Sequence, residues 1–236
     1  LRGNLLRKKK WNYWCIYGKD ALFSATISHL DYAASCFVYY LDYETKEFYE
    51  KTVLLPFGKG VRMSNSVLGN ATAIHKDMGI FFIFDGKHVQ LKVSAPNFGG
   101  KPLVADMKIH IDEKMESLNV VVPWSEQKFQ YTSKQHCLPV EGRFSVGEKE
   151  YHFHKERDFA VLDFGRGNWP RNIVWNWGMA SGWQGNDAIG LNFGGKWTDG
   201  TGVTENGIIF NGKLFKIHEP VVFTYNRENW MEPWHI

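Results

Sequence analysis

No apolar run in this 236-residue chain approaches the ~20 residues that carry a helix across a bilayer. No basic leader followed by an apolar stretch and a small-residue cleavage site is legible either, so neither a membrane span nor a signal peptide is expected. Cysteine is scarce. Cys15, Cys36 and Cys137 are widely spaced and odd in number. No C-x-x-C pair exists, which argues against a zinc cage, and no glycine-framed turn presents one of the thiols as a nucleophile. They read as small buried hydrophobes in a reducing compartment, so the expected location is cytoplasmic. Excess charge of one sign is lacking too: 28 Lys and Arg against 25 Asp and Glu give +3. A nucleic-acid partner needs a basic stripe. The single basic run, Arg7 to Lys10, reads as a solvated turn before the first strand, and no nucleic acid is expected.

A long apolar stripe of period 3.6 is also missing. Short helical turns fit only near Ser64–Leu68 and Asn226–Met231. The chain offers instead short aromatic and β-branched runs with period-two alternation, the signature of half-buried strands. Strands are expected over Trp11–Tyr17, Leu22–Leu30, Ser35–Leu41, Phe48–Leu55, Ala71–His75, Ile80–Phe84, His88–Ser94, Leu103–Ile111 and Ser117–Val122. A further strand pair is expected around Val146–Lys149. Asp85-Gly86 and Asn211-Gly212 are tight hairpin signals. Pro96 to Gly100 reads as a loop, and Pro123 is expected to end its strand. The fold class is all-β, with many antiparallel strands in barrels or sandwiches. A boundary in Glu113–Pro123 divides the chain into two similar halves, 1–115 and 116–236. A faint echo between Trp11–Trp14 and Trp175–Trp177 accompanies that division.

Several motifs tempt and fail. Gly190 to Lys196 has phosphate-loop spacing, but Trp197 stands where a magnesium-binding Ser or Thr belongs. Gly165-Arg166-Gly167 opens like a dinucleotide fingerprint, but Pro170 takes the third glycine's place. His152 and His154 share a strand face with no clear third ligand nearby, only His136 further back in the chain, so no metal site is expected. No cofactor is implied.

The stretch from Phe159 to Gly207 remains. It holds 11 of the 23 glycines and 5 of the 10 tryptophans. Glycine permits close approach, and tryptophan supplies broad walls with one polar handle. Alternation places Asp163 on one face with Phe159 and Val161. If that face is internal, the carboxyl is desolvated, with Arg166 as the obvious partner. This pair is either a structural ion pair or a proton donor with its partner at the edge of an aromatic pocket. Trp169, Trp175, Trp177 and Trp183 are either that pocket's wall or ordinary core. Asn176 and Asn192 add polar anchors. Lys196 and Asp199, and then Glu205, sit in glycine-framed stretches that serve either a site or the turns themselves.

At these residues a resemblance emerges. The blocks SLNVVVPWS, FQYTSKQHCLP, FAVLDFGRGNWP, WNWGMASG and IGLNFGGKWTDGTGVTENGI closely resemble the bacterial family of domain of unknown function 2804. KKKWNYWC and DYAASCFVYYLDYET extend the match over nearly the whole chain. Family members are usually longer at both ends, so the chain looks like a core piece of one. More distantly it resembles the carotenoid hydratases, tocopherol cyclases and lipocalin-like stress proteins. That likeness implies two lipocalin-like (calycin-like) β domains around an apolar cavity. It sets Tyr131-Thr132-Ser133, Asp163 and Trp175-Asn176-Trp177 at the superfamily's Tyr-Tyr-Ser, Trp-x-Asp and Asp-Trp-Phe stretches. The hydratases use an aspartate and aromatic residues to protonate a polyene and steady its cation. Here Arg166 follows Asp163 closely and Asn176 replaces an acid, which counts against simple transfer of that mechanism. The expected partner is a hydrophobic small molecule, lipid or isoprenoid-like. The alternative is a hydratase, cyclase or isomerase using Asp163 as acid.

Overall fold

The computed structural model describes residues 6–236. No α-helix forms among them. Strands are numbered in chain order. Thirteen belong to one antiparallel sheet. From one edge its main path runs β4 (Phe48–Pro56), β3 (Ala33–Asp42), β2 (Ala21–His29), β1 (Lys8–Tyr17), β13 (Phe159–Asn168) and β11 (Lys128–Val146). It continues through β9 (Lys101–His110), β8 (His88–Phe98), β7 (Met78–Phe84), β6 (Ala71–His75) and β5 (Val61–Met63). Two strands, β10 (Leu118–Ser125) and β12 (Lys149–Phe153), also pair with β11. A separate four-stranded sheet follows the order β14 (Asn176–Gln184), β15 (Asp187–Gly195), β16 (Asn206–Phe210) and β17 (Lys213–Ile217). Ladder bonds from β1 to β13 and from β9 to β11 join residues on either side of position 115.

The large sheet curls because β11 serves two neighbourhoods. Up to Pro139 it pairs with β13. From Val140 it pairs with β9, and from Gly142 also with β12. Its register with β13 shifts between Gln135 and Leu138, where Cys137 has a φ of 55°. Such an irregularity bends a strand and strengthens its twist. At Gly142 (φ 128°) a Cβ would lie 2.3 Å from the Asp106 carbonyl oxygen, so close passage to β9 requires glycine.

Curling brings two inner faces together. Trp14, Ile16, Phe23, Ile27 and Val38 share one buried cluster with Ile80, Phe82, Leu91, Leu103 and Phe144. Removing each such side chain from water contributes about 1.5–3 kcal/mol. The opposite, outer face of β1, β13 and β11 carries Tyr13, Asp163 and Lys134 side by side across the ladder. The small sheet lies against this face. A second apolar cluster of Leu118, Val120, Val122 and Trp197 helps hold it there.

Four local expectations change. Lys8, Lys9 and Lys10 belong to β1, where Lys9 and Lys10 are half-buried, because β13 extends far enough to pair with them. Pro96 to Phe98 belong to β8, and the turn falls at Gly99-Gly100. Pro123 does not end β10: the strand reaches Ser125 through an irregularity, at an edge where proline needs no donor. The segments 64–68 and 226–231 form turns and bends without helix.

Candidate functional site

The site is a buried charge cluster between the two sheets. Lys134 and Asp163 are direct partners across the β11–β13 ladder. The Lys134 ammonium lies 2.8 Å from Asp163 Oδ1 and 3.3 Å from Glu205 Oε2. Thr132 Oγ1 donates to Asp163 Oδ1 at 3.2 Å. Glu205 enters from the segment between β15 and β16, so one ammonium ties carboxylates from both sheets. Trp197 Nε1 donates to Glu205 Oε1 at 2.5 Å, which fixes the other end of that carboxylate. Burial opposes the Lys134 charge, but Asp163 and Glu205 outweigh it and raise the lysine above its ordinary pKa. Burial pushes Glu205 up; Lys134 partly offsets this, and Asp163 adds to it. Glu205 therefore holds a proton more readily than a free glutamate.

Trp177 forms the roof. Its ring centroid lies 4.3 Å from the Lys134 ammonium, a cation–π contact in a desolvated setting. Its Nε1 donates to Asn192 Oδ1 at 2.9 Å. Asn192 is fully buried, and its Nδ2 donates to the Glu205 carbonyl at 2.5 Å. That bond fixes the amide orientation and makes Oδ1 the acceptor for Trp177. His136 Nε2 reaches the same Oδ1 at 3.3 Å. Burial lowers His136 to about 4, against a partly offsetting bond to Asn192, so the imidazole is neutral near pH 7.

An aromatic strip leads from solvent to this cluster. Tyr13 meets Trp177 edge-on at 5.7 Å, and its hydroxyl bonds Tyr39 at 2.8 Å. Tyr39 stacks beside Phe37 and tilts against exposed Phe48 at 5.7 Å. Burial raises the Tyr13 phenol well above its ordinary pKa, with Cys15 and Tyr39 adding to it, so the group stays neutral. Asp163 keeps 13% of its side chain exposed, against 5% for Lys134 and 2% for Glu205. It is the least buried of the three charged side chains.

Asp163, Trp177, Asn192 and Glu205 thus gather as one group. Arg166 does not join them. It lies on the opposite face of β13, where its guanidinium bonds the carbonyls of Trp11, Gly165 and Ser64, and Lys134 takes the place expected for it beside Asp163. Tyr131 also faces away, donating to Asn119 Oδ1 at 2.9 Å and packing on Phe164. Trp169 is wedged edge-on among Trp11, Trp124 and Trp175, and Trp175 is largely exposed. Trp183 packs on Phe159. The tryptophans therefore do not wall a common chamber; Trp177 alone of them roofs the charges. Asn176 is buried and accepts from the Tyr225 hydroxyl at 3.5 Å. The Asp199 carboxylate accepts from the Lys196 backbone N–H at 3.1 Å, and both side chains are exposed turn residues.

Lys134, Tyr13 and Tyr39 are the residues that sequence reasoning did not single out; Thr132 and His136 it named, but not as partners of Asp163 and Asn192. One signal was available: Lys134 is the only Lys, Arg, Asp or Glu between Lys128 and Glu141. Two cavities open away from the Lys134–Asp163 pair, the first of them lined in part by His136. One, of ≈310 Å³, opens where Leu68, Phe84, Ile111, Met115 and Leu138 meet the β11 irregularity. The other, of ≈630 Å³, is a charged groove around Asp42, Lys149, His152 and Arg157. Among the described residues no group of three or more His, Cys, Asp or Glu side chains gathers for a metal.

Solved structures share this architecture. An AttH-like protein of Nitrosomonas europaea superposes with a TM-score of 0.60 at 12% identity, covering 97% of this chain and 75% of its own. Kievitone hydratase of Nectria haematococca gives 0.57 at 11% identity, covering 96% and 68%. These likenesses establish an all-β, lipocalin-like fold. Comparison with curated proteins finds no match. The model of the DUF2804 family, a domain of unknown function, matches residues 1–236, and the chain belongs to that family.

Proposed function

We propose that this protein binds an apolar, unsaturated small molecule along the strip of Phe37, Tyr39 and Tyr13, with its inner end against Trp177 and Asp163. One observation carries the reading: a half-exposed aromatic surface ends at a buried ammonium–carboxylate pair whose aspartate keeps 13% of its side chain exposed. Aromatic walls with a few fixed polar groups are what small-molecule sites require. The test is tryptophan fluorescence with a panel of unsaturated lipids, isoprenoids and prenylated aromatics. Wild type should respond to some member, and Trp177→Ala should respond at least about tenfold more weakly, on the scale of one lost anchor. Identical responses of both proteins to every compound reject the site.

A second reading is acid–base catalysis of the hydratase, cyclase or isomerase kind. It is favoured by the proton-bearing neighbourhood of Asp163: a lysine held protonated and a glutamate whose pKa is raised. Asp163 would exchange a proton with the substrate, while the Trp177 π face steadies developing positive charge. Kievitone hydratase, a hydratase by name, has a similar fold and adds weight. Asp163→Asn should keep the wild-type circular dichroism and lose turnover of a substrate found in the panel. Unchanged turnover rejects catalysis and leaves binding standing.

A further inference from the structure

On the inner face of the large sheet lies a second charged group, and it has no counter-ion. Lys10 on β1 and Arg166 on β13 are direct cross-strand partners. Like charges placed opposite one another repel. Among the described residues neither has a carboxylate within ion-pair distance; the carboxylate nearby, Asp31, bears on Lys9 and His29. Both cations are partly withdrawn from water. Burial lowers Arg166 to about 10, and burial together with Arg166 and Lys8 lowers Lys10.

Their present partners are neutral. Arg166 Nη1 donates to the Trp11 carbonyl at 3.2 Å and the Gly165 carbonyl at 2.8 Å. Its Nη2 donates to the Ser64 carbonyl at 2.6 Å. Arg166 Nε is buried without a partner. Guanidinium carries five N–H donors, so Nε–H and one Nη2–H are free, and these nitrogens share one edge of the planar fork. That edge matches two oxygens of a carboxylate or phosphate. Lys10 Nζ spends one donor on Asn65 Oδ1 at 3.0 Å. The guanidinium plane is held by the Phe164 ring, 4.0 Å beneath it. Positive charge, a bidentate edge and a stacked platform thus converge beside the segment carrying Ser64 and Asn65.

We propose that Arg166 and Lys10 bind an oxyanion, a carboxylate or phosphate group, at the inner face of β1 and β13. This also gives the basic run before Trp11 a purpose that a solvated turn lacks. The anion takes the free Arg166 edge bidentately and a free Lys10 N–H, and it relieves the repulsion between the two cations.

Isothermal titration with inorganic phosphate and with decanoate tests the site and separates a free inorganic ion from the carboxylate of an apolar molecule. Wild type should bind at least one of them, more weakly as salt rises. Lys10→Gln should weaken binding about tenfold, the scale of one charge-assisted hydrogen bond. Arg166→Lys, which keeps charge but loses the fork, should weaken it at least as much. Trp177→Ala should leave phosphate binding unchanged, which distinguishes this site from the aromatic strip. No binding of either probe up to tens of millimolar, or equal binding by wild type and Lys10→Gln, overturns the proposal. Lys10→Gln decides the matter alone if Arg166→Lys fails to fold.

Discussion

Lys134 and Asp163 face each other across the β11–β13 ladder with ammonium and carboxylate 2.8 Å apart, both side chains almost fully buried. Because Lys134 also holds Glu205, it is the shared ion-pair partner of two carboxyl groups from two sheets. Removing it strands both, whereas removing Asp163 strands none, since Glu205 still pairs with the lysine. Lys134→Met should therefore destabilise the fold by roughly 3–5 kcal/mol, the cost of breaking a buried pair from one side. Asp163→Asn should cost clearly less. The double variant should cost less than the sum, as expected for residues in contact. Urea unfolding of the three variants checks the order, and equal losses in the two single variants would refute it.

His136 makes stability depend on acid. Its folded pKa of about 4 lies below the ordinary 6.5, so the unfolded chain binds more protons between these values. Stability from this group is complete above pH 6.5 and is lost as pH falls through about 4. The loss amounts to about 3 kcal/mol by linkage. Glu205 acts with the opposite sign: raised above 4.5 in the fold, it contributes below pH 4.5, and that contribution is lost as pH rises through its folded value. Lys134, raised above 10.5, contributes below pH 10.5 and is lost as pH rises past its folded value. Urea midpoints of His136→Gln, compared with wild type between pH 4 and 6.5, should show a flatter acid limb. Parallel curves would remove His136 as the cause.

Much of this fold is legible in local chemistry. The tight turn at Asn211-Gly212, both residues at positive φ, is what those two residue types impose, and β6 spans the expected Ala71–His75. Alternation also places Asp163 correctly with Phe159 and Val161. The same alternation explains why Arg166 is not its partner: a separation of three along a strand sets two side chains on opposite faces. What period two cannot supply is the neighbour across the ladder. Lys134 reaches Asp163 through a pairing of β11 with β13, and Glu205 through the seating of one sheet on another. Trp177 and Trp169 are equally aromatic in sequence. One roofs charges and the other fills a wedge, because register and not composition separates them.

Asn192 should act as the positioning residue for Trp177. Its Oδ1 accepts from Trp177 and His136, and its Nδ2 donates to the Glu205 carbonyl. Asn192→Leu keeps similar volume but leaves buried donors without acceptors, at about 1–3 kcal/mol for each stranded group. The indole should then lose its fixed orientation over Lys134. Near-ultraviolet circular dichroism should fall, and fluorescence should change by an amount that Trp177→Phe abolishes. If the spectra of Asn192→Leu match wild type, Trp177 is held by packing alone.

Gly194 provides the sharpest packing test of the charge cluster. A Cβ at this position would lie 1.9 Å from Glu205 Oε1 and 2.3 Å from its Cδ and Cγ. A free glutamate would swing aside, but this one is pinned by the Trp197 indole and the Lys134 ammonium. Gly194→Ala should therefore cost about 1–3 kcal/mol, the usual range for overpacking a filled site. It should also shift Trp177 emission, because Lys134 must follow the carboxylate. At Gly182, in the neighbouring β14, a Cβ would meet nothing within 4 Å, so Gly182→Ala should stay within about 0.5 kcal/mol of wild type. Equal effects of the two substitutions would mean that Glu205 is mobile, and that the ammonium is not clamped between two carboxylates as its surroundings imply.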